Sequence, residues 1–106
     1  MNQKLETTND NDAAGNPAGG SVRGVGITID WQNGPLGRGD DRKEPNGAFV
    51  EGVIAAAVQR IEYYQASKFK SRENAIALTH LETALLWLGK RTADREARAV
   101  EGTHQK

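Results

Sequence analysis

The sequence contains no cysteine, which excludes disulfides and thiolate metal sites. It has no excess of either charge: 14 Lys and Arg stand against 14 Asp and Glu, for a formal net charge of zero. A general nucleic-acid binder draws affinity from a basic excess that releases counterions. The balance therefore argues against nucleic acid as a partner, and any anion site must be built locally. No apolar run approaches the roughly 20 residues that cross a bilayer. Lys4 is followed by no apolar stretch of the kind that makes a secretory leader. The expectation is a cytoplasmic chain with no membrane partner. The glycine-rich stretch lacks the Gly-Lys-Ser/Thr ending of a phosphate loop, and no Gly-x-Ser-x-Gly occurs. At 106 residues there is room for one small domain with a poor ratio of core to surface, for which oligomerisation is the usual remedy.

What is present falls into three stretches. Residues 1–22 are rich in Asn, Asp, Gly, Ala and Thr, with only Leu5 and Val22 as sizeable apolar groups. Such a segment buries too little surface to offset its ordering entropy, so it reads as a disordered or variable tail before a domain spanning 23–106. Val25, Ile27 and Ile29 alternate with Gly26, Thr28 and Asp30, the period of a half-buried strand. Gln32-Asn33-Gly34-Pro35 breaks the run. A glycine- and charge-rich loop with a short second strand at its start would complete a strand-and-turn region over 24–47. A two-stranded hairpin is marginal alone, so it is expected to pack on the helices that follow.

Asn46 is placed to cap a helix over 48–66, and Ser71 a second over 71–99. Leu78, Leu81, Leu85 and Leu88 form one apolar stripe of the second helix. Ile76, His80, Thr83 and Trp87 form another beside it. One partner helix covers one stripe, so a second copy of the chain is expected on the other. The predicted fold class is α+β: an N-terminal β-strand or hairpin packed on an antiparallel two-helix hairpin that oligomerises through its helices.

Catalytic or metal chemistry finds little support. His80 and His104 lie 24 residues apart without metal-ligand spacing. Asp40, Asp41 and Glu44 share their loop with Arg38, Arg42 and Lys43, the pattern of a solvated surface. No metal, no cofactor and no catalytic residue is expected. The end of the second helix is more informative. Arg91, Arg95 and Arg98 recur at i, i+4 and i+7 and project from one face. The bland reading pairs them within the helix, Arg91 with Asp94 and Arg95 with Glu96. The functional reading is a phosphate clamp, because guanidinium forks match phosphate oxygens bidentately. Tyr64, ending the first helix, is either ordinary core or a platform for a base, and Asn74 either a local cap or a reader of a polar edge.

Several runs resemble the phage anti-Thoeris sponge family. Gly26-Ile27-Thr28-Ile29-Asp30-Trp31-Gln32-Asn33-Gly34-Pro35 is similar to its strand and turn, and Asn46-Gly47-Ala48-Phe49-Val50-Glu51 to the opening of its first helix. Tyr64-Gln65 stands where the family has an aromatic-Gln pair. Ser71-Arg72-Glu73-Asn74-Ala75 resembles its second-helix opening, and Arg91-Thr92-Ala93-Asp94-Arg95-Glu96-Ala97-Arg98 and Val100-Glu101-Gly102-Thr103-His104 its ending. The resemblance runs from Val25 to the C-terminus. It implies a non-enzymatic sponge that holds cyclic ADP-ribose isomers, and in some members cyclic di- or trinucleotides, to block Thoeris or CBASS defence in the cytoplasm of the infected bacterial host. It implies a homo-oligomer, either a dimer or a hexamer built as a trimer of dimers. The ligand-binding residues it implies are Tyr64 for base stacking, Asn74 for reading the ligand, and Arg91 and Arg95 for phosphates. Arg98, Gln32 and a loop arginine, Arg38 or Arg42, join them. Tyr stands here in place of a Phe, which should preserve stacking, and by that reasoning the hydroxyl is dispensable. The alternative is a small helical-hairpin interaction or structural protein with no nucleotide ligand.

Overall fold

Asp12 and Gly15 organise the N-terminal end of the chain. The Asp12 Oδ1 accepts hydrogen bonds from the backbone N–H groups of Ala14 and Asn16, both at 2.9 Å. Gly15 takes φ +83°, a left-handed conformation that costs glycine little, and its N–H returns to the Asp12 carbonyl at 3.0 Å. The result is a tight turn built from the residue types such turns favour. It joins β1 (Glu6–Asn11) to β2 (Pro17–Gly24) in a computed structural model that describes residues 4–106.

β2 pairs on its other edge with β3 (Ile27–Asp30), giving an antiparallel sheet in the order β1-β2-β3. Thr7, Val22 and Ile29 lie in one row across the three strands. Thr8 and Ser21 hydroxyls meet at 3.0 Å, and Arg23 reaches Asp30 at 2.6 Å. Residues 1–22, expected as a disordered or variable tail, thus supply β1 and most of β2, apart from the first three, which lie outside the described residues. Every residue of β1 is exposed, so apolar burial does not account for its order. Backbone pairing and the Asp12 turn hold the strand instead. Val25, expected within the strand, sits in the β2–β3 turn and is fully exposed.

After β3 the chain runs through Trp31, which forms an isolated parallel bridge with Ala48. The expected second strand in the loop is absent, and residues Gly39–Asp41 make a short 3-10 turn there. Asn46 does not cap a helix. Its side chain accepts from the Asn33 N–H at 2.8 Å and donates to the Asn33 carbonyl at 3.0 Å, so it braces the Gln32–Pro35 turn. The C-terminal residues 99–106 belong with this sheet unit, and Val100 is the single buried residue among the described residues.

The second unit, residues 50–98, is a helical hairpin of α1 (Val50–Gln65) and α2 (Arg72–Ala97). Ser71 caps α2 as expected, its Oγ accepting from the Asn74 N–H at 3.0 Å. The two helices run antiparallel. Their seam is made by half-buried Val53, Ile54, Val58 and Ile61 against Leu78, Leu81, Leu85 and Leu88. The flanking stripe stays open: Ile76 is 41% exposed and Trp87 68%, with Leu86 beside them at 75%. Arg98 caps the C-terminus of α2, after which Ala99 adopts φ +58°, the left-handed closing position that glycine usually fills.

Candidate functional site

The closed end of the helical hairpin is tied by Gln65. Its Nε2 donates to the Ser71 carbonyl at 3.0 Å and its Oε1 accepts from the Ser71 N–H at 2.9 Å, which fixes the end of α1 against the start of α2. The adjacent Tyr64 is 37% exposed, so it is a surface ring and not core. Tyr63 lies beside it, with ring centroids 6.0 Å apart and planes tilted by 56°. The Arg60 guanidinium sits over both rings, 4.9 Å from the Tyr63 centroid and 5.0 Å from that of Tyr64. Its Nε donates to the Tyr64 hydroxyl at 3.1 Å. That hydrogen bond, aided by the partial negative charge of the phenol oxygen, raises the guanidinium pKa above its ordinary value. Asn74 is half-buried at the same end, and its Nδ2 points to the Phe69 carbonyl at 3.4 Å.

The arginines occupy the other end of the hairpin. Arg91 approaches Glu51, at the start of α1, with 3.9 Å between Nη2 and Oε2. That is an ion pair without a hydrogen bond, and Arg91 remains 63% exposed. The expected bland partner, Asp94, is taken by Lys90 at 2.8 Å. Arg95 is half-buried and Arg98 is exposed at the helix terminus. Tyr64 lies thirteen residues beyond Glu51 along α1, about 20 Å at 1.5 Å per residue. One hairpin therefore brings Tyr64 and Asn74 together at one end and gathers Arg91, Arg95 and Arg98 at the other, but does not bring the two sets together.

Gln32 and Arg38 lie in the sheet unit. Gln32 spends its amide on its own turn, accepting from the Asn46 N–H at 2.8 Å and donating to the Gly34 carbonyl at 3.2 Å. Arg38 donates to the Glu101 carbonyl at 3.1 Å, while the Glu101 carboxylate holds Arg42 at 2.7 Å. The Gly37 N–H donates to the Gly102 carbonyl at 2.8 Å. The loop arginines are thus strapped by the C-terminal segment. Sequence reasoning missed Arg60 and Glu101. The i+3 and i+4 spacing from Arg60 to Tyr63 and Tyr64 was a signal in plain view. Glu101 is 59 residues from Arg42, and nothing local announces that pairing. Among the described residues no group of three or more His, Asp and Glu side chains is placed to hold a metal ion, and no helix is long and apolar enough to cross a membrane.

Residues 24–93 match the family described as Acb2/Tad1, hairpin domain. The match takes in β3, both hairpin ends and Arg91, and stops short of Arg95 and Arg98. The chain is also 49% identical over 79 residues to "Thoeris anti-defense 1" of Bacillus phage SBSphiJ7, an alignment that covers 74% of this chain. It spans about half the length of that relative, 53%. With two thirds of its length inside the family's hairpin domain, the chain belongs to the Acb2/Tad1 hairpin family.

Proposed function

We propose that this protein binds cyclic nucleotide immune signals, cyclic ADP-ribose isomers foremost, and sequesters them unchanged so that the bacterial anti-phage defence they trigger stays silent. The observation that carries this reading is the division of the hairpin. A stacking ring with a polar reader stands at one end and a guanidinium cluster at the other, and an apolar face is left open between them. A cyclised ADP-ribose, with base and both riboses closed into one ring, is too compact to span about 20 Å of helix. Two copies packed antiparallel through the open Ile76–Leu86–Trp87 face would set Tyr64 and Asn74 of one against Arg91 and Arg95 of the other. The same packing would supply the core that a single hairpin lacks, since no residue of either helix is buried. The relative's name, Thoeris anti-defense 1, supports the anti-defence role.

The proposed site needs no catalytic step. Stacking contributes roughly 1–3 kcal/mol and each hydrogen bond to a charged group about 1.5–3 kcal/mol. Several together reach the roughly −12 kcal/mol of a nanomolar complex after the cost of association. Sequestration would take place in the cytoplasm of the infected host. Gln32 and Arg38 serve the loops of the sheet unit. Calorimetry with a panel of cyclic ADP-ribose isomers and cyclic di- and trinucleotides tests the reading. Submicromolar affinity for at least one cyclic ADP-ribose isomer is expected, and no heat from any of the panel would refute it.

A further inference from the structure

Arg60 holds Tyr64 before any ligand arrives. Its guanidinium covers two tyrosine rings at 4.9 and 5.0 Å, and its Nε donates to the Tyr64 hydroxyl at 3.1 Å. An exposed tyrosine without such a tie samples several rotamers, and a ligand that stacks on it must first order it. We propose that Arg60 is a positioning residue of the nucleotide site, fixing the Tyr64 ring through its hydroxyl and occupying one face so that the other is presented to a purine base. The inference rests on the reading that Tyr64 stacks on a cyclic nucleotide base.

Three physical consequences support it. The ordering cost of Tyr64 is met inside the free protein, which is the general source of gain from preorganisation. A cation on one face draws the ring's π-density toward it, so the opposite face becomes a better partner for an electron-rich purine. A positive charge also stands beside the base site in a chain of zero net charge, where it favours a dianionic ligand. The hydroxyl therefore has a task here, contrary to the expectation that only the ring matters. A purely structural role for Arg60, packing on two surface rings, would touch stability and leave affinity alone.

The test is calorimetric titration of a cyclic ADP-ribose isomer into the full chain and its Arg60→Met, Tyr64→Phe, Arg60→Met/Tyr64→Phe and Tyr64→Ala variants, with melting of each measured without ligand. Arg60→Met should weaken binding about threefold to tenfold, and Tyr64→Phe about threefold. The double variant should bind no more weakly than Arg60→Met alone, because the hydroxyl acts through the guanidinium. All four should melt close to the parent. Unchanged affinity in Arg60→Met, strictly additive losses in the double variant, or a lowered melting temperature with affinity intact would each overturn the proposal. If Tyr64→Ala weakens binding and Arg60→Met does not, Arg60 alone falls. If neither has an effect, or the parent binds nothing, the base-stacking reading falls with it.

Discussion

Two variants that each fail to bind should recover binding when mixed. Tyr64→Ala removes the stacking ring and Arg91→Ala/Arg95→Ala removes the guanidinium pair, and the hairpin holds these groups about 20 Å apart. If each site joins one end from each of two copies, a homodimer of either variant has two broken sites. A mixed dimer has one site with both defects and one fully restored. Random exchange makes about half of the dimers mixed, so about a quarter of all sites regain parental affinity under twofold symmetry. Each arginine removed should cost on the order of 1.5–3 kcal/mol, a weakening of about tenfold to a hundredfold. Restored sites then stand far above the background of the broken ones. Arg→Lys should recover only part of the loss, since an ammonium keeps the charge and gives up the fork. The assay is titration of a cyclic ADP-ribose isomer into each variant and into the mixture after subunit exchange, with light scattering to follow the oligomer. No recovery in a mixture shown to have exchanged would refute the two-copy site. Full activity of either variant alone would refute the assignment of its residues.

Three further outcomes follow from the fold. Gly102 has φ +78° and its added Cβ would collide with the Gly37 carbonyl, so Gly102→Ala should cost at least about 1 kcal/mol and free the loop from the C-terminal strap. Hydrogen exchange at the Gly37 amide, protected in the parent by Gly102, should then accelerate. Backbone hydrogen bonds from Asn16 and Ala14 hold the Asp12 carboxyl below its ordinary value of 3.8. Its contribution to the β1–β2 turn is therefore complete above that value and is lost as pH falls through the lower, folded-state one. Exchange rates in the paired strands β1 and β2 should show this acid-side loss, and Asp12→Ala should abolish it. Ala99→Gly should stabilise by about 0.5–1 kcal/mol, because a left-handed alanine costs roughly 1–2 kcal/mol while glycine gives back part of that gain in backbone entropy. Thermal melting reads that change directly.

The helical half of the molecule was legible because its signals are local. The leucine stripe at spacings of 3, 4 and 3 and the Ser71 cap are short-range patterns, and both hold in the structure. The sheet was harder to read for a physical reason. β1 buries none of its side chains, so periodicity of apolar residues carries no trace of it. The useful signal was turn chemistry, Asp12 followed three residues later by Gly15. Asn46 shows the same competition at a helix start: its amide found a better use on Asn33 than at a cap. At the site, Tyr64, Asn74 and the arginines were named from spacing and resemblance. Their separation to opposite ends of the hairpin appears only once the helices are folded back, and the strap from Glu101 to Arg42 depends on a long-range contact that no sequence window contains.

Sequestration without chemistry can be read from recovery of the ligand. The protein is incubated with a cyclic ADP-ribose isomer, freed of unbound ligand by filtration, and denatured by heat, and the released compound is weighed by mass spectrometry. Near-stoichiometric return of the isomer at its original mass, able again to activate the defence effector, is the expected result. Retention of nothing, or release of a linear product heavier by one water, would contradict it.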